Sequence, residues 1–215
     1  MSNVAAVEAL STNMPALDLE MSLRGKRELG KLLGVDGIGM PRARQIADGF
    51  VRLVEKTVLE YTASRKRLVE FLKNGVYDDS FRAQDHFESC IQSLHRSIAY
   101  LDRLRSLGVR QADGQAFVPR PRDLEVLRGE AKNKVRRFRD FAEHLDQDVI
   151  DGKLPPTAEV SIHLGWEMAT LNGAQLPYAE LARWIRQLHG LALRLSVVEL
   201  VVGEPPAREK GDDDA

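Results

Sequence analysis

A chain of 215 residues, 43% apolar and 29% charged, is long enough to bury a core and falls in the range of soluble globular proteins. Its formal net charge of -1 excludes a whole-protein field that gathers nucleic acid or an anionic membrane, so any such attraction has to be local. A single cysteine, Cys90, excludes an internal disulfide and a thiolate cage for zinc within one chain, and fits a reducing compartment. Aromatics at 6% leave the core to Leu, Ile, Val and Ala, which favours helices over a β-sandwich. The opening "MSNVAAVEALSTNMPALDLE" lacks a basic start followed by an apolar stretch, and no long uncharged apolar run follows. The expectation is a cytoplasmic protein with no membrane partner.

Residues 1–15 are expected to be flexible, and 16–40 to hold a short helix and a glycine-rich turn. The turn, "LLGVDGIGMPRARQI" from Leu32 to Ile46, resembles the helix-hairpin-helix motif at Gly37, Ile38, Gly39, Ala43 and Ile46. In that family the backbone N–H groups of the turn approach a phosphate. A helix end at Gly34 followed by a connector into Pro41, at the first turn of the next helix, accounts for the same residues. From Pro41, apolar residues recur at three- and four-residue steps through Ile46, Phe50, Leu53, Val58, Tyr61, Leu68 and Leu72, predicting a long helix closed by "NGVYDDS". Phe87, Ile91, Leu94, Ile98 and Leu101 predict a second helix over 79–107, packed lengthwise on the first. Beyond the linker "GVRQADGQAFVPRP", a third stripe runs through Leu124, Leu127, Ala131, Val135, Phe138, Ala142, Leu145 and Val149, and stops at Gly152.

Asn172-Gly173 between short alternating stretches predicts a tight β-hairpin, which Trp166 is expected to clamp onto the bundle. A fourth helical stripe through Leu181, Trp184, Ile185, Leu188, Leu191 and Leu195 follows from Tyr178 to about Val198. The tail over 203–215 is charged and proline-broken, hence expected to be disordered. The fold class that emerges is all-α: an antiparallel four-helix bundle over 41–200 with a small β-hairpin before the last long helix.

The third helix carries the chemistry. With Phe138 as the zero direction, Phe141, Ala142, Leu145, Val135, Ala131 and Val149 fall within roughly 60° of it, the face expected to be buried. Arg136, Arg139, Asp140, Glu143 and His144 fall between roughly 100° and 240°, on the solvent side. One reading is a solvated face laced with pairs such as Arg136 with Asp140 and Arg139 with Glu143. The other is a site, in which Asp140 accepts from one nitrogen of His144 one turn on and leaves the other for proton transfer. Residues 120–139 support the second with eight cations, Arg120, Arg122, Arg128, Lys132, Lys134, Arg136, Arg137 and Arg139, against Asp123, Glu125 and Glu130. A polyanion would find local attraction there.

The stretch "RRFRDFAEHLDQDVIDGKLP", with Arg139, Asp140 and His144, resembles the R-x4-6-H signature of the HEPN superfamily, in which a polar residue follows the arginine. The match covers about twenty residues as a motif and roughly 41–200 as an architecture. The resemblance implies a metal-independent endoribonuclease without cofactor, or a catalytically silent relative that binds nucleic acid or protein. It implies a homodimer whose two copies of Arg and His line one cleft, and a toxin or anti-phage effector restrained by a cognate antitoxin. Arg139, Asp140 and His144 become the expected catalytic residues, with Arg136, Arg137, Lys132, Lys134 and Arg128 binding RNA. Arg139 and His144 point about 140° apart on one helix, so a symmetric partner is needed to complete a shared grip on phosphate. His144 would move the proton of a ribose 2′-OH and Arg139 would offset charge on the phosphorane, leaving a 2′,3′-cyclic phosphate.

His86 and His95, nine residues apart, are expected at surface and flank positions. His163 and His189 lack metal-ligand spacing such as H-E-x-x-H, and no metal is expected. Trp184 is expected as a packing anchor and Cys90 as a small core or boundary hydrophobe.

Overall fold

Proline at 41 and glycine at 75 bracket the longest element of the computed structural model. Proline's fixed φ and missing N–H suit a first helical turn, and Gly75 takes φ of 69°, with its N–H on the Phe71 carbonyl at 2.7 Å. The structure describes residues 13–19, 22–32, 41–111, 116–153, 161–197 and 200–202. Among them the chain runs α1 (Leu23–Leu32), α2 (Pro41–Asn74), α3 (Tyr77–Ser106), β1 (Val109–Gln111), a 3-10 turn (Glu125–Leu127), α4 (Gly129–Ile150), β2 (His163–Leu164), β3 (Met168–Leu171), β4 (Ala174–Pro177), α5 (Tyr178–Val197) and β5 (Leu200–Val202). The fold is mostly helical, with a small three-stranded antiparallel sheet.

The two-residue link between α2 and α3 leaves them no choice but to lie antiparallel, and they pack along their length. Their closest approach needs Gly49: a Cβ there would come within 3.0 Å of Tyr100 Cδ1 and closer still to Cε1. Further along, Ser64 Oγ donates to the Ala83 carbonyl at 2.7 Å, replacing a water contact that burial removes. α5 packs on α2 and α1, and α4 on α3. Arg27 of α1 ties this side together, pairing with Asp48 of α2 and donating to the Leu195 carbonyl of α5 at 2.9 Å. One continuous core takes Phe50, Val54 and Tyr61 from α2, Phe87, Ile91 and Leu94 from α3, Val135 and Phe138 from α4, and Trp184, Ile185 and Leu188 from α5. Cys90 is fully buried within it, and burial pushes its thiol pKa up.

The hairpin forms where Asn172-Gly173 placed it. Asn172 and Gly173 have φ of 46° and 70°, the positive pair that a two-residue primed turn requires, and β3 pairs with β4 from Met168↔Pro177 to Leu171↔Ala174. Two features depart from the all-helical expectation. β2 adds a third strand to the hairpin, and β1 pairs with β5, Val109 opposite Val202, at the far ends of α3 and α5. The second pair joins segments about ninety residues apart, too short for periodicity to register.

Trp166 does not clamp the hairpin: it is 49% exposed at the turn between β2 and β3. Tyr178 holds the sheet instead, fully buried, edge-on to Phe87 at 6.1 Å, with its hydroxyl donating to the Gly165 carbonyl at 3.2 Å and its N–H to the Glu167 carbonyl at 3.0 Å. Trp184 is buried as expected. Val149, expected on the buried face of the third helix, is exposed near the C-terminal end of α4, as is its neighbour Ile150. The short helix expected in 16–40 is α1. Met14 and Leu17, just before it, are buried in the core. Gly37, Ile38 and Gly39 of the candidate phosphate-binding turn, residues 1–12 and the tail over 203–215 lie outside the described residues. No described helix is long and apolar enough to cross a membrane.

Candidate nucleic-acid interface

Burial of Ala131, Val135 and Phe138 fixes how α4 is rotated, and the 100° step then turns Arg136, Arg137 and His144 outward into solvent, with Arg139 and Asp140 half-buried at the flank. A cleft of about 490 Å³ follows this side, lined by Asn133, Arg136, Arg137, Asp140, Phe141, His144 and Asp148. A smaller one of about 270 Å³ opens between α3 and α4, lined by His95, Ile98, Ala99, Asp102, Gly129, Lys132, Asn133 and Arg136. Asn133 and Arg136 belong to both, so the two clefts adjoin.

Tertiary pairing trims the positive surplus counted along the chain. Lys132 Nζ donates to both oxygens of Asp102 on α3, at 2.9 and 2.7 Å. Lys134 Nζ reaches Glu180 on α5 at 3.0 Å and Glu130 at 3.3 Å. Arg139 is held by two neighbours on its own helix, Nη1 to Glu143 at 2.5 Å and Nη2 to Asp140 at 2.8 Å, while its Nε is buried with no acceptor among the described residues. The expected pair of Arg139 with Glu143 is therefore present. Arg136 instead donates to the Asn133 side-chain oxygen at 3.3 Å, and Arg128 to the Arg122 carbonyl at 3.1 Å. Arg136, Arg137 and Arg128 are the exposed cations of the predicted set. The ion pairs are part-exposed, each worth under about 1 kcal/mol, so a phosphate can compete for their cations.

Asp140 does not orient His144: its carboxylate sits on Arg139, and no hydrogen bond joins it to His144 among the described residues. The physical reason is competition, since a permanently charged guanidinium one residue away offers a stronger, charge-assisted partner than an imidazole one turn on. Asp140 and His144 thus line the same cleft, Arg139 does not, and the three form no linked triad among the described residues.

His95 is the residue that spacing within α3 failed to single out. His86 Nδ1 lies 2.7 Å from Glu60 Oε2, a partner on α2, whereas His95 lines the smaller cleft. Burial lowers the His95 pKa most, Arg139 lowers it next, Asp140 and Glu143 act the other way, and Arg136 adds to the lowering. The signal was present across helices: Lys132 meets Asp102, so antiparallel packing carries His95, seven residues before Asp102, to the level of Arg139, seven after Lys132. His163 is exposed on β2 and His189 is buried in α5. Among the described residues no group of three or more His, Cys, Asp or Glu side chains is placed to hold a metal ion.

No family model, curated protein or solved structure matches the chain.

Proposed function

We propose that the α4 cleft is the working site of a metal-independent endoribonuclease of HEPN type, on a domain whose α2, α3, α4 and α5 form an antiparallel four-helix bundle. The observation that carries this reading is His144, exposed in a cleft of about 490 Å³ that the exposed Arg136 and Arg137 also line. Arginine forks match phosphate oxygens, and an imidazole beside them can transfer the proton of an attacking 2′-OH or a departing 5′-oxygen. RNA is the substrate because the nucleophile belongs to the ribose.

Charge along α4 supports a two-fold partner. Residues 128–139 hold six cations, Arg128, Lys132, Lys134, Arg136, Arg137 and Arg139, against Glu130, while 140–151 hold Asp140, Glu143, Asp146, Asp148 and Asp151 and neither Lys nor Arg. Antiparallel apposition of two copies sets basic half against acidic half, the self-complementarity an isologous interface needs. With the axis near Asp140, Arg136 of one copy faces the partner's His144, so each imidazole meets a guanidinium of the other copy. Exposed Val149 and Ile150 supply apolar contact at the ends. An unrestrained enzyme of this kind suits a toxin or anti-phage effector held by a cognate antitoxin.

The test is incubation of the purified chain with structured and unstructured RNA in EDTA. Expected are fragments ending in 2′,3′-cyclic phosphate, a loss of about 10²- to 10⁴-fold in His144→Ala, and a dimeric mass in solution. Cleavage that vanishes with chelation, or persists in both His144→Ala and Arg139→Ala, removes the assignment. A second reading is favoured by the engagement of Arg139 with Asp140 and Glu143: a silent module that binds RNA or protein through Arg136 and Arg137. RNA retention without cleavage, lost in Arg136→Ala/Arg137→Ala, selects it.

A further inference from the structure

The cleft between α3 and α4 adjoins the one that carries His144 and is built differently. Ile98, almost fully buried, and half-buried Ala99 form an apolar wall. Polar groups of opposite kinds stand around it. Asp102 accepts from Lys132 with both oxygens and its Oδ1 also faces Arg105 Nη2 at 3.4 Å, which leaves Oδ2 with a further lone pair. Asn133 offers two amide hydrogens, since its oxygen takes the Arg136 bond. Arg136 spans this cleft and the larger one. At about 270 Å³ the space is just under the roughly 300–1,000 Å³ of sites for drug-sized ligands, which suits one ring system.

A planar ligand with apolar faces, acceptors along one edge and donors along the next, and an anionic substituent, meets all of these groups. A nucleotide base is such a ligand. Among the bases, guanine alone combines adjacent acceptors O6 and N7, the pattern that Lys and Arg bind best, with N–H donors suited to a carboxylate. His95, the remaining side chain that lines the cleft, supplies an aromatic ring on which a base can stack, and burial together with Arg139 keeps it toward the uncharged form.

We propose that the α3–α4 cleft is a base-recognition subsite that takes a single guanine, with Lys132, Arg136 and the Asn133 amide on its O6/N7 edge, Asp102 on its N–H edge and its phosphate leading over Arg136 into the α4 cleft. This rests on the RNA reading of α4 and adds a substrate preference to it: cleavage next to guanosines in single-stranded RNA.

The experiment titrates the full-length protein with 5′-GMP, 5′-AMP, 5′-CMP, 5′-UMP and inorganic phosphate by calorimetry, while NMR follows the histidine ring signals. GMP is expected to bind about tenfold tighter than the other nucleotides or more, to shift the His95 ring and leave His86 unmoved, and to lose that advantage in Asn133→Ala, whose exposed side chain can be removed without opening the core. Equal binding of all four nucleotides, a response to phosphate alone, or a GMP response without movement of the His95 signal overturns the subsite. Binding is read without turnover, so GMP selectivity with no RNA cleavage in EDTA sinks the nuclease and leaves the subsite, whereas cleavage with no base preference does the reverse.

Discussion

Replacing Glu143 by glutamine isolates the question of whether Arg139 is available to a phosphate. In the folded chain the Glu143 carboxylate lies 2.5 Å from Arg139 Nη1 and shares the guanidinium with Asp140 at 2.8 Å. With Glu143 42% exposed, an i,i+4 pair of this kind contributes about 0.3–0.5 kcal/mol, further weakened by salt. Glu143→Gln is therefore expected to leave the melting midpoint within about 2 °C for a chain of this size. It removes one negative charge from the cleft flank and halves the carboxylate competition for Arg139. If the freed guanidinium adds one phosphate contact, the plot of log K against log salt for single-stranded RNA steepens by about 0.7. Between 50 and 200 mM salt that amounts to roughly a 2.6-fold larger loss of affinity than in the unmodified chain, with tighter binding at the low-salt end. Filter binding or fluorescence anisotropy with an unstructured oligoribonucleotide across four salt concentrations measures the slope. An unchanged slope with an unchanged melting midpoint refutes the idea that Arg139 is a phosphate ligand restrained by its neighbours.

Gly49→Ala is expected to destabilise: a new methyl against the Tyr100 ring costs about 1–3 kcal/mol as overpacking, partly offset by about 1 kcal/mol of helix propensity, and Tyr100→Ala in the same chain should remove the penalty in a urea-melt double-mutant cycle. Gly173→Ala should cost about 1 kcal/mol or more, since φ of 70° is strained for any side chain, and a neutral urea midpoint would contradict the primed turn. The lowered His95 pKa gives stability a pH slope. The unfolded chain takes its proton nearer the ordinary value of 6.5 and the folded chain only below it, so the unfolded state binds more protons in that window and stability falls as pH drops through it. Urea midpoints at pH 7.5 and 5.5 should differ less in His95→Gln than in the unmodified chain; equal differences would show that His95 carries no part of the slope.

The long helices were legible because each carries its apolar residues on one face for many turns, and such a stripe can be buried in only one secondary structure. Proline at the start of α2, glycine after α2, α3 and α4, and Asn172-Gly173 in the hairpin were legible for the same kind of reason, since each residue type is fixed by a local dihedral demand. Trp166 and Val149 were misplaced because a pattern shows which side of an element is apolar and not how far its neighbours extend. Trp166 sits at the turn between β2 and β3 and Val149 in the last turn of α4, while the clamp on the sheet fell to Tyr178, whose hydroxyl found the Gly165 carbonyl.

The charged flank of α4 divides the same way. Its rotation, and so the exposure of His144, Arg136 and Arg137, follows from the sequence alone, because the position of Phe138 and Val135 sets the angle of every other residue on the helix. Which charges remain available was decided by partners from elsewhere, Asp102 for Lys132 and Glu180 for Lys134, and by Arg139 outcompeting His144 for Asp140. Helical periodicity is a short-range property that eighteen residues are enough to encode. Charge pairing and cleft walls depend on which helices lie side by side, and that register exists only once the core has closed.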